Sequence, residues 1–281
     1  MSAAVAPSGR LTRTAATVCD NGGMTELLHN DTVDVLLNRR SIRAFRPEPL
    51  NPEMTATIES AAQHAASSQY LNDWSAIRVV NQRLKDDLAA IAKQPYIAQA
   101  PALYVFVLDE YRNMVIAREQ GDAVDSDAFT LKNSYRFTQA QNDAVLALHA
   151  METAAESLGL GCVILGSILN DIPRLIELFH LPKYTYPVLG LAIGKPAQEP
   201  ALKPRMSGTL QFFDNRYNDD PTFIMRTIAE FNEEVHQYYD LRDPNRPVPT
   251  YDAQIAQKAV AGEVLGRGLE HAVQQGFELD R

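Results

Sequence analysis

Arg39-Arg40-Ser41-Ile42-Arg43-Ala44-Phe45 is the stretch on which the reading of this chain turns. It follows a short apolar helix pattern over Asp31 to Leu37 and packs three cations and a hydroxyl closely together. A guanidinium is planar, permanently charged and able to bond phosphate oxygens in pairs. Taken alone, the plainer reading is a solvated helix end whose cations offset the helix dipole. A second cationic motif, Lys203-Pro204-Arg205, stands far away in sequence. Two such segments brought together would build an anion site without a Gly-rich loop.

Around these segments the chain is acidic, with a net charge of -9 over 281 residues and a pI of about 5.2. A broad basic surface for nucleic acid is therefore not expected, and the Arg clusters read as small anion sites. At 46% hydrophobic and 22% charged, the composition supports a large globular core. Cys19, Cys162 and the six scattered histidines have no metal-ligand spacing. That pattern argues against a metal site or a disulfide scaffold, and for a reducing cytoplasm. No apolar run approaches the ~20 residues of a membrane span. Residues 1–23 lack the continuous apolar stretch of a signal peptide. They read as a disordered leader, or as a region upstream of a second start at Met24.

Hydrophobic patterning places the elements. Asn51-Pro52-Glu53 starts a helix with a capping side chain, a first-turn Pro and an acid near the dipole. Trp74 to Val80 reads as a strand and Gln82 to Ala92 as a helix. Ala102 to Leu108 is a continuous apolar run suited to a strand buried on both faces. Tyr111 to Thr138 is polar and mixed, an excursion or lid (111–138) leading to a long helix from Gln139 to Leu158. Cys162 to Leu165 is a short strand, Asn170 to Phe179 a capped helix, and Tyr186 to Ile193 a buried strand. Pro221 to Tyr239 and Tyr251 to Gln275 read as tail helices whose thin apolar faces need a covering surface. Strands alternating with helices would ordinarily suggest a doubly wound parallel sheet. GxGxxG and GxxxxGK[ST] are both absent, however, so a nucleotide would be bound without either loop.

The order of motifs resembles the FMN-dependent nitroreductase superfamily, in its NADPH-dependent flavin reductase and major oxygen-insensitive nitroreductase branch. Arg39 to Phe45 resembles the N-terminal flavin motif. Ala66-Ser67-Ser68-Gln69-Tyr70-Leu71 resembles the serine-rich turn after the second helix, with Gln69 in place of a small residue. Gln94 precedes Ala98-Gln99-Ala100-Pro101 and a buried strand, Glu156 to Gly161 leads to Gly166, and Leu202 to Arg205 matches the branch's KPR motif. The resemblance runs from about Met24 to the C-terminus.

It implies an α+β fold with a central mixed, mainly antiparallel sheet flanked by helices. It also implies an intertwined homodimer with an extended helical tail (206–281), residues 24–281 forming one domain. Arg39, Ser41, Lys203 and Arg205 would hold the FMN phosphate, with Arg40 among the cofactor contacts. Arg43 would face the N1/O2 edge of the ring, where negative charge develops on reduction. Gln94 would bond the pyrimidine edge, and Leu165 and Gly166 would lie near N5. Ser67, Ser68 and Gln69 would reach the flavin of the partner subunit. Arg242 and Arg246 would meet the 2′-phosphate of NADPH. Hydride would pass from NADPH through FMN N5 to nitroaromatic, quinone or flavin acceptors in ping-pong order, with no protein side chain as acid or base. Two other readings stay open: a flavin-binding redox sensor without turnover, and a flavin-fragmenting or dehalogenating enzyme of the same fold.

Overall fold

A computed structural model describes residues 17–20, 23–238, 245, 249–260 and 268–280. In chain order the strands are β1 (Thr17–Asp20), β2 (Gly23–Glu26), β3 (Trp74–Arg78), β4 (Ala102–Asp109), β5 (Gly161–Leu165) and β6 (Thr185–Gly194). The helices are α1 (Asp31–Leu37), α2 (Pro52–Gln63), α3 (Gln82–Ala92), α4 (Glu110–Glu119), α5 (Ser134–Ser157), α6 (Ile172–Leu178), α7 (Pro221–Gln237), α8 (Tyr251–Ala259) and α9 (Gly268–Gln274). The chain falls into two compact units, Met1–Asp34 with Lys203–Lys258, and Val35–Leu202 with Ala259–Arg281.

The larger unit is built on a four-stranded sheet in the order β3-β4-β6-β5, each neighbour antiparallel. Strand alternation sorts its two faces. Leu103, Val105 and Val107 of β4 pack with Val163, Leu165 and Ala192 against Leu88, Ala89 and Ala92 of α3. Tyr104 and Phe106, the intervening residues, pack with Leu191 and Ile193 against Ile58 of α2 and Leu148 and Met151 of α5. Both faces are thus covered, which is why β4 and β6 read as unbroken apolar runs. Buried Phe277, just beyond α9, meets Phe137 of α5 edge to face at 5.0 Å. Gln275 Nε2 donates to the Pro182 and Thr185 carbonyls at 2.9 and 3.1 Å, so α9 docks on its own chain.

Local signals account for the helix starts. Asn51 accepts from Met54 N at 2.7 Å, and Asn81 from Arg83 N at 2.9 Å. The span Tyr111 to Thr138, read as an excursion or lid, has secondary structure of its own. Much of it is helix: Asp109 caps α4 by accepting from Arg112 N at 3.1 Å. Asn133 caps α5 by accepting from Arg136 N at 2.9 Å, so that helix begins at Ser134, ahead of Gln139. Only Glu110 and Met114 of α4 are buried, too narrow a face to show as apolar periodicity.

In the smaller unit, β1 and β2 pair antiparallel, Thr17 opposite Glu26. These strands overlap the span expected as a leader. Here α7 and α8 meet through the rings of Phe231 and Tyr251, 5.2 Å apart, and through Asp252 N donating to Asn232 at 3.1 Å. Arg242 and Arg246 lie outside the described residues. Among the described residues, no helix is long and apolar enough to cross a membrane.

Candidate active site

The cationic segment is fixed by its backbone. Ser41 bridges Cys162 in the parallel sense, and Ile42 N donates to the Cys162 carbonyl at 2.8 Å. Further along, Ala197 N donates to Ala44 O at 2.9 Å and Arg46 N to Lys195 O at 2.9 Å. The segment therefore lies along β5 and the end of β6, and supplies the sheet's one parallel contact among the described residues. Two glycines opposite each other, Gly161 and Gly194, make this approach possible. A Cβ on Gly161 would stand 2.6 Å from Ile42, and one on Gly194 2.8 Å from Pro101 and 3.0 Å from Phe45. Ile42 is buried as a result, and its polar neighbours Ser41 and Arg43 remain partly open.

The arginines then separate in role. Arg39 donates to Glu152 Oε1 through Nη2 at 2.6 Å and Nε at 3.1 Å, with Glu156 at 4.0 Å. The Glu152 side chain is 2% exposed and that of Arg39 28%, so Arg39 pairs with a buried carboxylate from a partly open position. Arg40 differs. Its Nη1 lies 3.6 Å from the exposed Glu199 carboxylate, a weak surface contact. Its Nε is buried and meets no hydrogen-bond partner. A buried N–H left unpaired is costly, and native proteins keep few of them. Within this segment Arg40 keeps an unpaired buried N–H, and Arg39 ties the segment to α5. Arg43 turns Nη1 toward Ser41 O at 3.5 Å.

The serine-rich turn is tightly determined. Gln69, Tyr70 and Asn72 have φ of 52°, 61° and 50°. Left-handed non-glycine residues cost about 1–3 kcal/mol each and persist where surroundings impose them. Ser68 N donates to both Asp143 oxygens, at 3.0 and 3.1 Å. Gln69 Oε1 accepts from Arg136 Nη2, and Asn72 O from Arg112 Nη2. Asn72 N donates to Ser67 Oγ at 2.8 Å. Asp143 and Glu152 both lie on α5, nine residues and so about two and a half turns apart, which puts them on opposite sides of the helix. Within this chain, then, the turn and the cationic segment flank α5 from opposite sides.

Behind the turn lies a buried acidic group. Asp73 and Glu110 are 0% exposed, and both Asp73 oxygens lack a donor. Burial, then its contact with Asp143 and the charge of Glu110, pushes Asp73 up to about 8, so it holds a proton at neutral pH. Burial also raises Glu110. Glu156 is pushed up to about 7, first by burial and then by Glu152. For an acid raised on folding, the folded state binds the extra proton. Stability is full below the ordinary carboxylate value and is lost as pH rises through the folded value. Urea denaturation from pH 5 to 9 should therefore show falling stability, at most about 1.4 kcal/mol per pH unit for each such group. Asp73→Asn should flatten part of that slope; an unchanged slope would remove Asp73 from this role.

Elsewhere, Gln94 is half-buried at the head of a 3-10 turn, Pro95–Gln99, its N donating to Ala89 O at 3.0 Å. Leu165 is 1% exposed, a core side chain, so any ligand contact there would be through its backbone. Gly166, just after β5, is exposed, and a Cβ added to it would meet nothing within 4 Å. The space over it is open to a flat ligand. Lys203 and Arg205 belong to the smaller unit, where Arg205 Nη1 donates to Lys203 O at 3.0 Å and both side chains are exposed. Glu152, Asp143 and Arg136 had no signal in the sequence beyond being charged residues in a helix of mixed polar and apolar character.

An α+β protein with an antiparallel sheet, a cation held on a glycine-cleared sheet edge and open space beyond β5 is the class this geometry defines. Residues 36–195 match the nitroreductase family, and residues 203–280 match its C-terminal domain. The chain belongs to the nitroreductase family. It is 33% identical to "FMN reductase (NADPH)" of Bacillus subtilis (strain 168), over 80% of this chain and 90% of that protein. It is 31% identical to "NADPH-dependent oxidoreductase" of Staphylococcus aureus (strain USA300), over 83% of this chain and 90% of that one. The solved structure of B. megaterium NfrA1 superimposes with a TM-score of 0.82 at 30% identity, covering 88% of this chain and 99% of that one.

Proposed function

We propose that this chain is an FMN-dependent NADPH oxidoreductase that reduces flat acceptors such as nitroaromatics, quinones or free flavin. The observation that carries the reading is Arg40, whose buried Nε has no partner on a segment pinned to the sheet edge. The names of the two relatives and the family match support it. Bound FMN would supply two-electron hydride chemistry between NADPH and the acceptor. The chain's own task is to bind and orient. Arg40 and Ser41, with Lys203 and Arg205, would hold the phosphate; Arg43 would place positive charge at the ring edge. Gln94 would bond the pyrimidine, and exposed Gly166 would let the ring lie close. Purified protein should be yellow and should consume NADPH with a quinone or nitroaromatic acceptor. Bound FMN without turnover would favour a flavin-binding sensor, and a colourless protein with no FMN affinity would sink the reading.

The opposite placement of the serine turn and the cationic segment on α5 supports a homodimer in which each turn serves the partner's flavin. Residues 24–281 would then work as one functional unit. Sedimentation at micromolar protein should give about twice the 31.2 kDa chain mass. A monomer that is loaded and active would contradict it. Arg242 and Arg246 are kept as the NADPH 2′-phosphate contacts. Arg242→Ala should raise KM for NADPH about tenfold and leave NADH nearly unchanged. Equal losses with both would assign Arg242 to a shared contact or to the fold.

A further inference from the structure

Gln69 places a long polar side chain in the middle of the serine turn. It is also the residue that begins the left-handed run, with φ of 52° followed by 61° at Tyr70. In that conformation a Cβ crowds the following carbonyl oxygen, a conflict that glycine alone escapes. A glutamine needs support from outside the turn. The support is visible. Arg136 is 8% exposed, and its Nη2 bonds Gln69 Oε1. One position earlier in the turn, the amide of Ser68 is seated on the Asp143 carboxylate, which is 2% exposed. Arg136 and Asp143 are seven residues apart on α5, almost two full turns, so they stand on the same side of the helix. Arg136 Nη1 and Glu110 Oε1 are both buried without a hydrogen-bond partner.

We propose that Arg136 and Asp143 are positioning residues for the flavin site. They hold the turn in its observed form, with Ser67 extended, the Ser68 amide seated on Asp143 and Gln69 and Tyr70 left-handed, and Arg136 supports the glutamine at position 69. This rests on the reading of the turn as part of an FMN site. Neither residue touches the flavin. Their effect reaches it through the fraction of turns already in the competent form, which scales the apparent affinity directly.

The test is FMN binding to the full chain, followed by flavin fluorescence quenching, in the parent, Arg136→Met and Arg136→Met with Gln69→Gly. Methionine keeps the aliphatic stem and removes the bond to Gln69. Arg136→Met should raise the FMN Kd about tenfold, as the competent fraction falls. Adding Gln69→Gly should return Kd to within about threefold of the parent, because glycine takes positive φ unaided. A merely structural arginine would not be rescued from position 69, so a loss without rescue overturns the proposal, as does parent-like binding by Arg136→Met. If Arg136→Met does not fold, amide hydrogen exchange at Ser68 in FMN-free Asp143→Asn decides. Faster exchange than the parent supports the clamp, and unchanged exchange overturns it. A parent that binds no FMN would instead overturn the function proposed above, and the positioning role with it.

Discussion

Arg39→Met should lower folding stability by about 3 kcal/mol at pH 7, the lower end of the range for breaking a buried ion pair. The lower end applies because the Arg39 side chain is 28% exposed, while Glu152 is 2% exposed. Without Arg39, Glu152 keeps His149 Nδ1 at 3.3 Å and faces Glu156 across the helix surface. A buried carboxylate beside a second carboxyl is the costly remainder. Removing both partners together, as Arg39→Met with Glu152→Leu, should recover most of the loss, since an apolar pair leaves no charge uncompensated. Chemical denaturation of the single and double variants would measure this. A single variant as stable as the parent, with FMN affinity lost, would return Arg39 to the phosphate and leave the anchoring role empty.

Arg205→Ala should do the opposite: raise the Kd for FMN tenfold or more while leaving stability nearly unchanged. Arg205 is exposed and donates within its own loop to Lys203 O at 3.0 Å. Surface substitutions of that kind move stability within about 0.5 kcal/mol. A charge-assisted bond to a phosphate contributes about 1.5–3 kcal/mol, which is tenfold or more in affinity. Titration of FMN into the FMN-free variant and parent gives the comparison, with Arg40→Ala as the matching test in the other cationic segment. Equal affinities for Arg205→Ala and the parent would leave the KPR motif as a solvated loop.

Much of the scaffold was legible because it depends on local signals. Asn51 announced the start of α2, and its side chain caps as its position suggested. The apolar runs became β4 and β6 because burial on both faces leaves no polar alternation. Where the buried face was thin, no helix was legible: α4 and the first turn of α5 lie within the span read as an excursion or lid. The cationic segment was found, but the division of labour within it was not. Arg39 and Glu152 are 113 residues apart, and nothing in either neighbourhood says which arginine the glutamate will claim.

The amino-acid order by itself determined the elements, the acidic character with two cationic segments, and the motif succession that resembles one family. Those follow from backbone propensity, capping chemistry and burial periodicity, which act over a few residues. Strand direction, by contrast, is invisible to periodicity. Between β3 and β4 stand α3 and the 3-10 turn Pro95–Gln99, and only their packing returns the chain to make that pair antiparallel instead of parallel. Tertiary structure alone placed Gly161 opposite Gly194 so that Ile42 could close on the sheet edge. It alone set Glu152 and Asp143 on opposite sides of α5, one holding the cationic segment and the other the serine turn. These are pairings between distant residues, and they are chosen by which side chains the close-packed core brings within a few ångströms of each other.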